Sequence, residues 1–205
     1  RKGVFMRDGA TIQPARLVRA LRRAVIASAR VHEHSRATRI DDRRVETEHG
    51  LVRAREIVVA TNAAAAGWQP LSRKLTVFGS YVVLTEPVPE LLEQINWTGG
   101  EAVFDGRMFL HYFRTTNDGR VLMGSGSGPI GYGGRIDERF TGDEPTGARA
   151  EQGLRRLLPG LAEARITNSW GGPIDVSSDH LPFFGTAPGT RIHYGVGYTG
   201  NGVGP

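Results

Sequence analysis

Few residues in this 205-residue chain belong to types that do chemistry unaided, and their spacing narrows the options. His32 and His34 stand two apart with Glu33 between them, so on a strand the two imidazoles share a face. That is not the helical H-E-x-x-H zinc pattern, and no third ligand stands nearby. Ser177, Ser178, Asp179 and His180 include hydrolase residue types, but sequence neighbours do not converge as a triad, and no G-x-S-x-G elbow surrounds a serine. There is no cysteine, which excludes a thiolate nucleophile, a disulfide framework, Cys-ligated metal and a cysteinyl flavin within these residues. G-x-G-x-x-G occurs twice, at Gly126, Gly128 and Gly131 and at Gly195, Gly197 and Gly200. Pro129 and the following Tyr132-Gly133-Gly134 make the first a loop rather than a phosphate-binding helix start. The second follows an apolar strand and fits a glycine loop whose backbone N–H groups approach an anionic or electron-rich ligand.

Three further blocks combine glycine, aromatic and polar residues: Trp170-Gly171-Gly172-Pro173, Asp179-His180-Leu181-Pro182, and the strand carrying Phe109, His111, Tyr112 and Phe113. A strand edge, a proline turn and a half-buried strand account for them without a ligand. With period two, Phe109, His111 and Phe113 point one way and Leu110 and Tyr112 the other, so a pocket requires one face left open by helices.

The elements that position these residues follow from periodicity. Pro14 opens an amphipathic helix with Leu17, Leu21, Ala24 and Val25 at helical spacing. Residues 31–40 (VHEHSRATRI) alternate like a strand, a hairpin is expected around Glu48-His49-Gly50, and Ile57-Val58-Val59-Ala60 reads as a strand buried on both faces. That strand ends in Thr61-Asn62, small polar residues at a carboxyl end, where open α/β sheets bind ligands. From 74 the pattern turns strand-rich: a strand over 74–88 broken by Gly79, a short helix over 87–93, and a meander over 101–126 with a turn at Asn117-Asp118-Gly119. A second helix is expected over 144–158, then strand, loop, strand and glycine loop to the end. Three parts result: 9–70 helix and strand, 74–170 strand-rich, and 171–205 returning to the first.

Composition sets the outer limits. The hydrophobic share of 39% and charged share of 23% are those of a globular protein, and no apolar run approaches the ~18 residues that span a bilayer. The net charge of +5 comes from dispersed arginines, with only Lys2 and Lys74 as lysines, so no basic stripe for nucleic acid exists. Glycine, at 28 residues, is about twice its usual ~7% share and concentrates in the second half.

The blocks GATIQPARLVRAL, EIVVATNAAAAGW, HYFRTTNDGRVLMGSG, SWGGPIDVSSDHLPFFG and YGVGYTGNGVG occur in the order and spacing of the FAD-dependent amine and amino-acid oxidoreductases. The chain resembles that family, which includes D-amino-acid, glycine and sarcosine oxidases, and in texture is most similar to its bacterial γ-glutamylputrescine oxidoreductase branch. The resemblance implies an α+β or α/β protein: a substrate domain with a large mixed, mostly antiparallel sheet (74–170), plus part of an FAD-binding α/β domain (9–70 and 171–205). It implies non-covalent FAD, with Ala37, Thr61 and Asn62 on the adenine-nucleotide side. Trp170, Gly172, Asp179, Gly197, Tyr198, Thr199, Gly200, Asn201 and Gly202 would lie toward the flavin. His111 and Tyr112 are the expected pocket residues for a small amine or amino acid. The implied chemistry is hydride transfer to FAD with O2 as acceptor, in the cytoplasm, with no nucleic-acid or membrane partner. The family's amino-terminal strand and glycine turn have no counterpart among these letters. The expectation is therefore a portion of a longer enzyme, inactive by itself, the other reading being a non-catalytic assembly subunit on the same fold.

Overall fold

The computed structural model describes residues 3–107 and 110–203; Phe109 lies outside the described residues. Two compact units divide the chain, 1–54 and 55–205.

In the first unit, helix α1 (Pro14–Val25) starts where Pro14 predicts. Proline at the first helical position gives up an N–H that has no partner there, and the Gln13 side chain accepts the Arg16 N–H at 2.8 Å. Strands β1 (Ala37–Asp41), β2 (Arg44–Thr47) and β3 (Gly50–Arg53) form an antiparallel sheet in that order. The hairpin at 48–49 is closed by Thr47, whose hydroxyl donates to the Gly50 carbonyl at 3.1 Å and accepts the His49 N–H at 3.3 Å. The expected strand over 31–40 is shorter: residues 31–36 are a turn, with His34 at φ 54° and Glu33 drawn into a two-pronged ion pair with Arg22 at 2.7 and 2.8 Å. That pairing takes Glu33 out of the alternation that its neighbours suggest.

The second unit holds the remaining strands. These are β4 (Ile57–Val59), β5 (Leu75–Thr85), β6 (Ala102–Phe104), β7 (His111–Thr115), β8 (Val121–Ser125), β9 (Ile130–Gly131), β10 (Ile166–Ser177), β11 (Phe183–Thr186) and β12 (Ile192–Val196). Helix α2 (Pro89–Gln94) follows β5, and α3 (Glu144–Leu157) precedes β10. The larger sheet has the order β10-β5-β8-β7-β6, with β9 beside β5, and all its pairings are antiparallel. The smaller sheet, β11-β12-β4, contains a parallel pair, β12 with β4. This is the expected class, mixed α and β around a large antiparallel sheet.

Three sequence expectations are corrected. Strand β4 is buried on one face only, with Ile57 and Val59 inside and Val58 70% exposed. Strand β5 runs through Gly79 unbroken. A Cβ there would stand 2.6 Å from Pro129 Cδ, so glycine lets the 126–129 loop lie against the strand, and the Gly79 N–H donates to the Pro129 carbonyl at 2.7 Å. Trp170 to Pro173 lie on an edge strand, as read, but the strand is longer than expected: β10 continues through them, paired to β5 from Ile166 to Ser177. Pro173 is tolerated because β10 is an edge strand.

The core lies on one face of the larger sheet. Val83, Val121 and Met123 meet Leu92 of α2 and Ala150 and Leu154 of α3, all nearly or fully buried. Asp143 caps α3, its carboxylate accepting the Thr146 N–H at 3.1 Å. Among the described residues, no helix is long and apolar enough to cross a membrane.

Candidate functional site

The parallel pairing of β12 with β4 sets the geometry of the first candidate region. Ile192 pairs with Ile57, His193 with Val58 and Tyr194 with Val59, so both strands end at the same edge of the sheet. Thr61-Asn62 leaves that edge after β4, and Gly197 onward leaves it after β12. Thr61 and Asn62 are exposed. Asn62 adopts φ 51° and its side-chain oxygen accepts the Ala63 N–H at 2.5 Å, starting a 3-10 turn over 62–67 whose Ala63, Ala65 and Ala66 are buried.

The loop after β12 is set by left-handed backbone at Gly197 (φ 79°), Thr199 (φ 53°) and Gly200 (φ 86°). It docks on the end of β10, where Val176 and Tyr198 form a bridge. The fully buried Asp175 carboxylate accepts the Gly197 N–H at 2.5 Å, and the Asp175 carbonyl accepts the Thr199 N–H at 2.9 Å. Ser177 donates its hydroxyl to the Leu181 carbonyl at 2.9 Å and to that of Gly197 at 3.4 Å. Asn201 closes the loop by donating its N–H to the Tyr198 carbonyl at 2.8 Å, and the Tyr198 ring meets Phe184 edge-on at 6.1 Å. Gly202 lies against Tyr198. Asp179 sits in the exposed turn after β10. The Leu181 N–H, 3.1 Å from its carboxylate, holds its pKa below the usual value despite some desolvation, helped by the Ser177 hydroxyl. Gly172 and Gly200 have open space where a Cβ would stand. Exposed small polar side chains and left-handed main chain at one sheet edge fit a flat, electron-rich group approached by backbone N–H groups. Ala37 belongs to the first unit, where it opens β1, exposed, opposite Thr47.

The second candidate region is the face of the larger sheet opposite the core. Cross-strand register puts Phe104, Tyr112, Gly124, Val82 and Trp170 side by side on it, with Ser80 and Gly172 two residues along β5 and β10. Its side chains are all exposed or part-exposed, with Phe104 at 64% and Trp170 at 41%. The Tyr112 ring lies over Gly124, where a Cβ would come within 2.0 Å of it, and its hydroxyl is 3.0 Å from Ser80 Oγ. His111 points to the opposite face. It is 8% exposed, its Nδ1 is 2.8 Å from the Asp105 carboxylate, and its other edge faces Gly153 of α3. Partial burial alone would raise the Asp105 pKa, but hydrogen bonds from the His111 ring and from the His111 and Arg107 amides hold it below the usual value. The two expected pocket residues therefore face opposite sides of one sheet. Among the described residues, no cluster of His, Asp and Glu could hold a metal ion.

Sequence reasoning passed over Asp175 and Ser80. The signal for Asp175 was a carboxylate flanked directly by Ile174 and Val176; Ser80 carries none, because only register brings it near Tyr112.

The FAD dependent oxidoreductase family matches this chain along residues 1–205. The chain belongs to this family. Among curated relatives, a probable oxidoreductase OrdL of Rhizobium meliloti is 32% identical over 97% of the chain and 45% of its own length. The γ-glutamylputrescine oxidoreductase of Escherichia coli is 31% identical over 85% of the chain and 40% of its own length. The chain thus spans less than half the length of these members. Among solved structures, glycine oxidase from Geobacillus kaustophilus superposes with a TM-score of 0.66 at 22% identity, covering 86% of this chain and 46% of that one. L-proline dehydrogenase from P. horikoshii gives 0.71 at 20% identity over 92% and 51%. These structural likenesses establish the shared fold, and the family match bears out the resemblance carried by the five sequence blocks.

Proposed function

We propose that the chain is part of an enzyme that oxidises the CH–NH bond of a small amine or amino acid with non-covalent FAD and O2. The observation that carries this reading is a juxtaposition within a chain matched throughout by the family: the Thr61-Asn62 turn and the 197–202 loop leave one sheet at the same edge. Open α/β sheets bind ligands at such carboxyl ends. In this reading Thr61 and Asn62 hold the adenine-nucleotide side of FAD, while Trp170, Gly172, Asp179 and residues 197–202 lie toward the flavin. Residues 9–70 and 171–205 then belong to the FAD-binding domain and 74–170 to the substrate domain.

FAD held by these residues would supply a hydride acceptor for oxidation of the carbon bearing a neutral amine to an imine that water hydrolyses, with O2 as the final electron acceptor. The N–H groups of the 197–202 loop other than those of Gly197, Thr199 and Asn201, which Asp175 and the Tyr198 carbonyl take, are suited to steady negative charge that accumulates on reduction. Tyr112 on the open sheet face contacts the substrate, its hydroxyl oriented by Ser80. His111, held by Asp105 beneath α3, faces away from the open sheet face and does not touch the substrate. With no cysteine among the 205 residues, a cysteinyl attachment of the flavin within them is excluded.

The test uses the protein expressed from its complete coding sequence. It is expected to purify yellow with bound flavin, and mixing with candidate amines and amino acids without oxygen bleaches the flavin absorption, which returns on admitting air. A purified protein that takes up no FAD, or flavin that none of these compounds bleaches, overturns the reading.

A further inference from the structure

Asp175 puts a carboxylate at one of the two positions of its strand, with Ser177, that are buried. It is fully buried, directly opposite the fully buried Val77 of β5. Burying a carboxylate is costly unless donors satisfy it. One oxygen accepts the Gly197 N–H, and the other has no hydrogen-bond partner among the described residues. The compensation is therefore incomplete, and what the residue does hold is specific: its side chain and its carbonyl take the amides on either side of Tyr198.

The backbone held in this way is strained. Thr199 is β-branched and stands at φ 53°, a conformation such residues keep only when their surroundings impose it. Its hydroxyl donates to the Gly197 carbonyl at 3.0 Å and accepts the Ser177 N–H at 3.4 Å, but the Asp175 carbonyl takes its amide, and the Asp175 side chain takes the amide two residues before it. Gly197 has little room to move, since a Cβ there would meet Phe183 and Ser177 at 3.0 Å.

We infer that Asp175 is a positioning residue for the cofactor: it fixes the left-handed course of residues 197–200, and through it the direction in which the loop presents its N–H groups. This rests on the reading above that the loop faces FAD. Asp175 itself makes no flavin contact and acts through Gly197 and Thr199.

The experiment compares Asp175→Leu with Asp175→Asn in the protein expressed from its complete coding sequence. Leucine fills the buried position without an acceptor, whereas the asparagine carbonyl still accepts the Gly197 N–H. Circular dichroism and melting confirm folding, and Asp175→Ala takes the place of the leucine variant should that one not fold. FAD titrated into the apoproteins is expected to bind about 10- to 100-fold more weakly to Asp175→Leu, the loss of one hydrogen bond to a charged acceptor. The bound flavin's absorption bands and reduction potential shift in the same variant. Asp175→Asn recovers affinity to within about threefold of wild type, a difference under 1 kcal/mol. Amide hydrogen exchange of the apoprotein, which needs no flavin, is expected to quicken at Gly197 and Thr199 in Asp175→Leu and not in Asp175→Asn. A leucine variant with wild-type affinity, spectrum and potential overturns the inference. A wild-type protein that binds no FAD overturns the underlying reading instead, and the exchange measurement still reports whether Asp175 holds the loop.

Discussion

On one face of the six-stranded sheet, Val83, Val121 and Met123 meet Leu92, Ala150 and Leu154 from the helices. On the other, Phe104, Tyr112, Val82 and Trp170 come from the same sheet and stay exposed or part-exposed. The neighbours His111 and Tyr112 show what this means for function. One is locked to Asp105 beneath α3, and the other spreads its ring over Gly124 on the uncovered side. A chemistry-bearing residue on a strand is thus assigned less by its type than by its parity relative to the helix-covered face. The smaller sheet works differently, since its candidate residues lie in loops beyond strand ends, where direction comes from parallel pairing rather than from alternation.

The largest effect expected from this contrast is on the covered face. Leu154→Ala removes a fully buried side chain from the core and is expected to cost about 2–5 kcal/mol, read as a lowered melting temperature with flavin affinity unchanged in the folded fraction. A cost below about 1 kcal/mol would show that the face is not a close-packed core. A smaller, pH-dependent effect belongs to Asp105→Asn, at about 1–3 kcal/mol near neutrality. Because the folded state lowers the Asp105 pKa, the ionised carboxylate stabilises the fold above the ordinary aspartate range, and that stabilisation is lost as pH falls through the folded value. The gap between wild type and Asp105→Asn in urea titrations should be full at pH 7 and close below roughly pH 4. A gap that widens in acid contradicts the assignment.

Legibility in the sequence followed the range of the interactions involved. The α1 start at Pro14 and the hairpin at 47–50 depend on residues within one turn, and both were readable. The continuity of β5 through Gly79 was not, because it depends on Pro129, fifty residues away, filling the space a side chain would need. Nor was the length of β10: glycines and a proline usually mark a break, and only an edge position opposite β5 permits them inside a strand. The loop at 197–202 was legible as glycine in a ligand-facing pattern, but its anchor was not, since Asp175 meets Gly197 only through the fold. The opposite orientations of His111 and Tyr112 were legible from period two, while the choice of covered face waited on where α3 packs.

The smallest stability effect and the most pointed functional one fall at Tyr112. Its hydroxyl makes one hydrogen bond among the described residues, to Ser80 Oγ at 3.0 Å on a part-exposed face, so Tyr112→Phe should cost only about 0.5–1.5 kcal/mol. If the open face receives the substrate, the same change alters KM or kcat for amine oxidation severalfold and leaves FAD affinity as it was, because residues 197–202 are untouched. His111→Gln supplies the mirror measurement, lowering the melting temperature through its lost Asp105 contact with little change in KM. A Tyr112→Phe variant that loses as much stability as Leu154→Ala would mean that the face is covered by packing. One that changes neither stability nor kinetics would place the substrate elsewhere. The two faces are functionally distinct only if the phenylalanine variant changes kinetics and the glutamine variant changes stability.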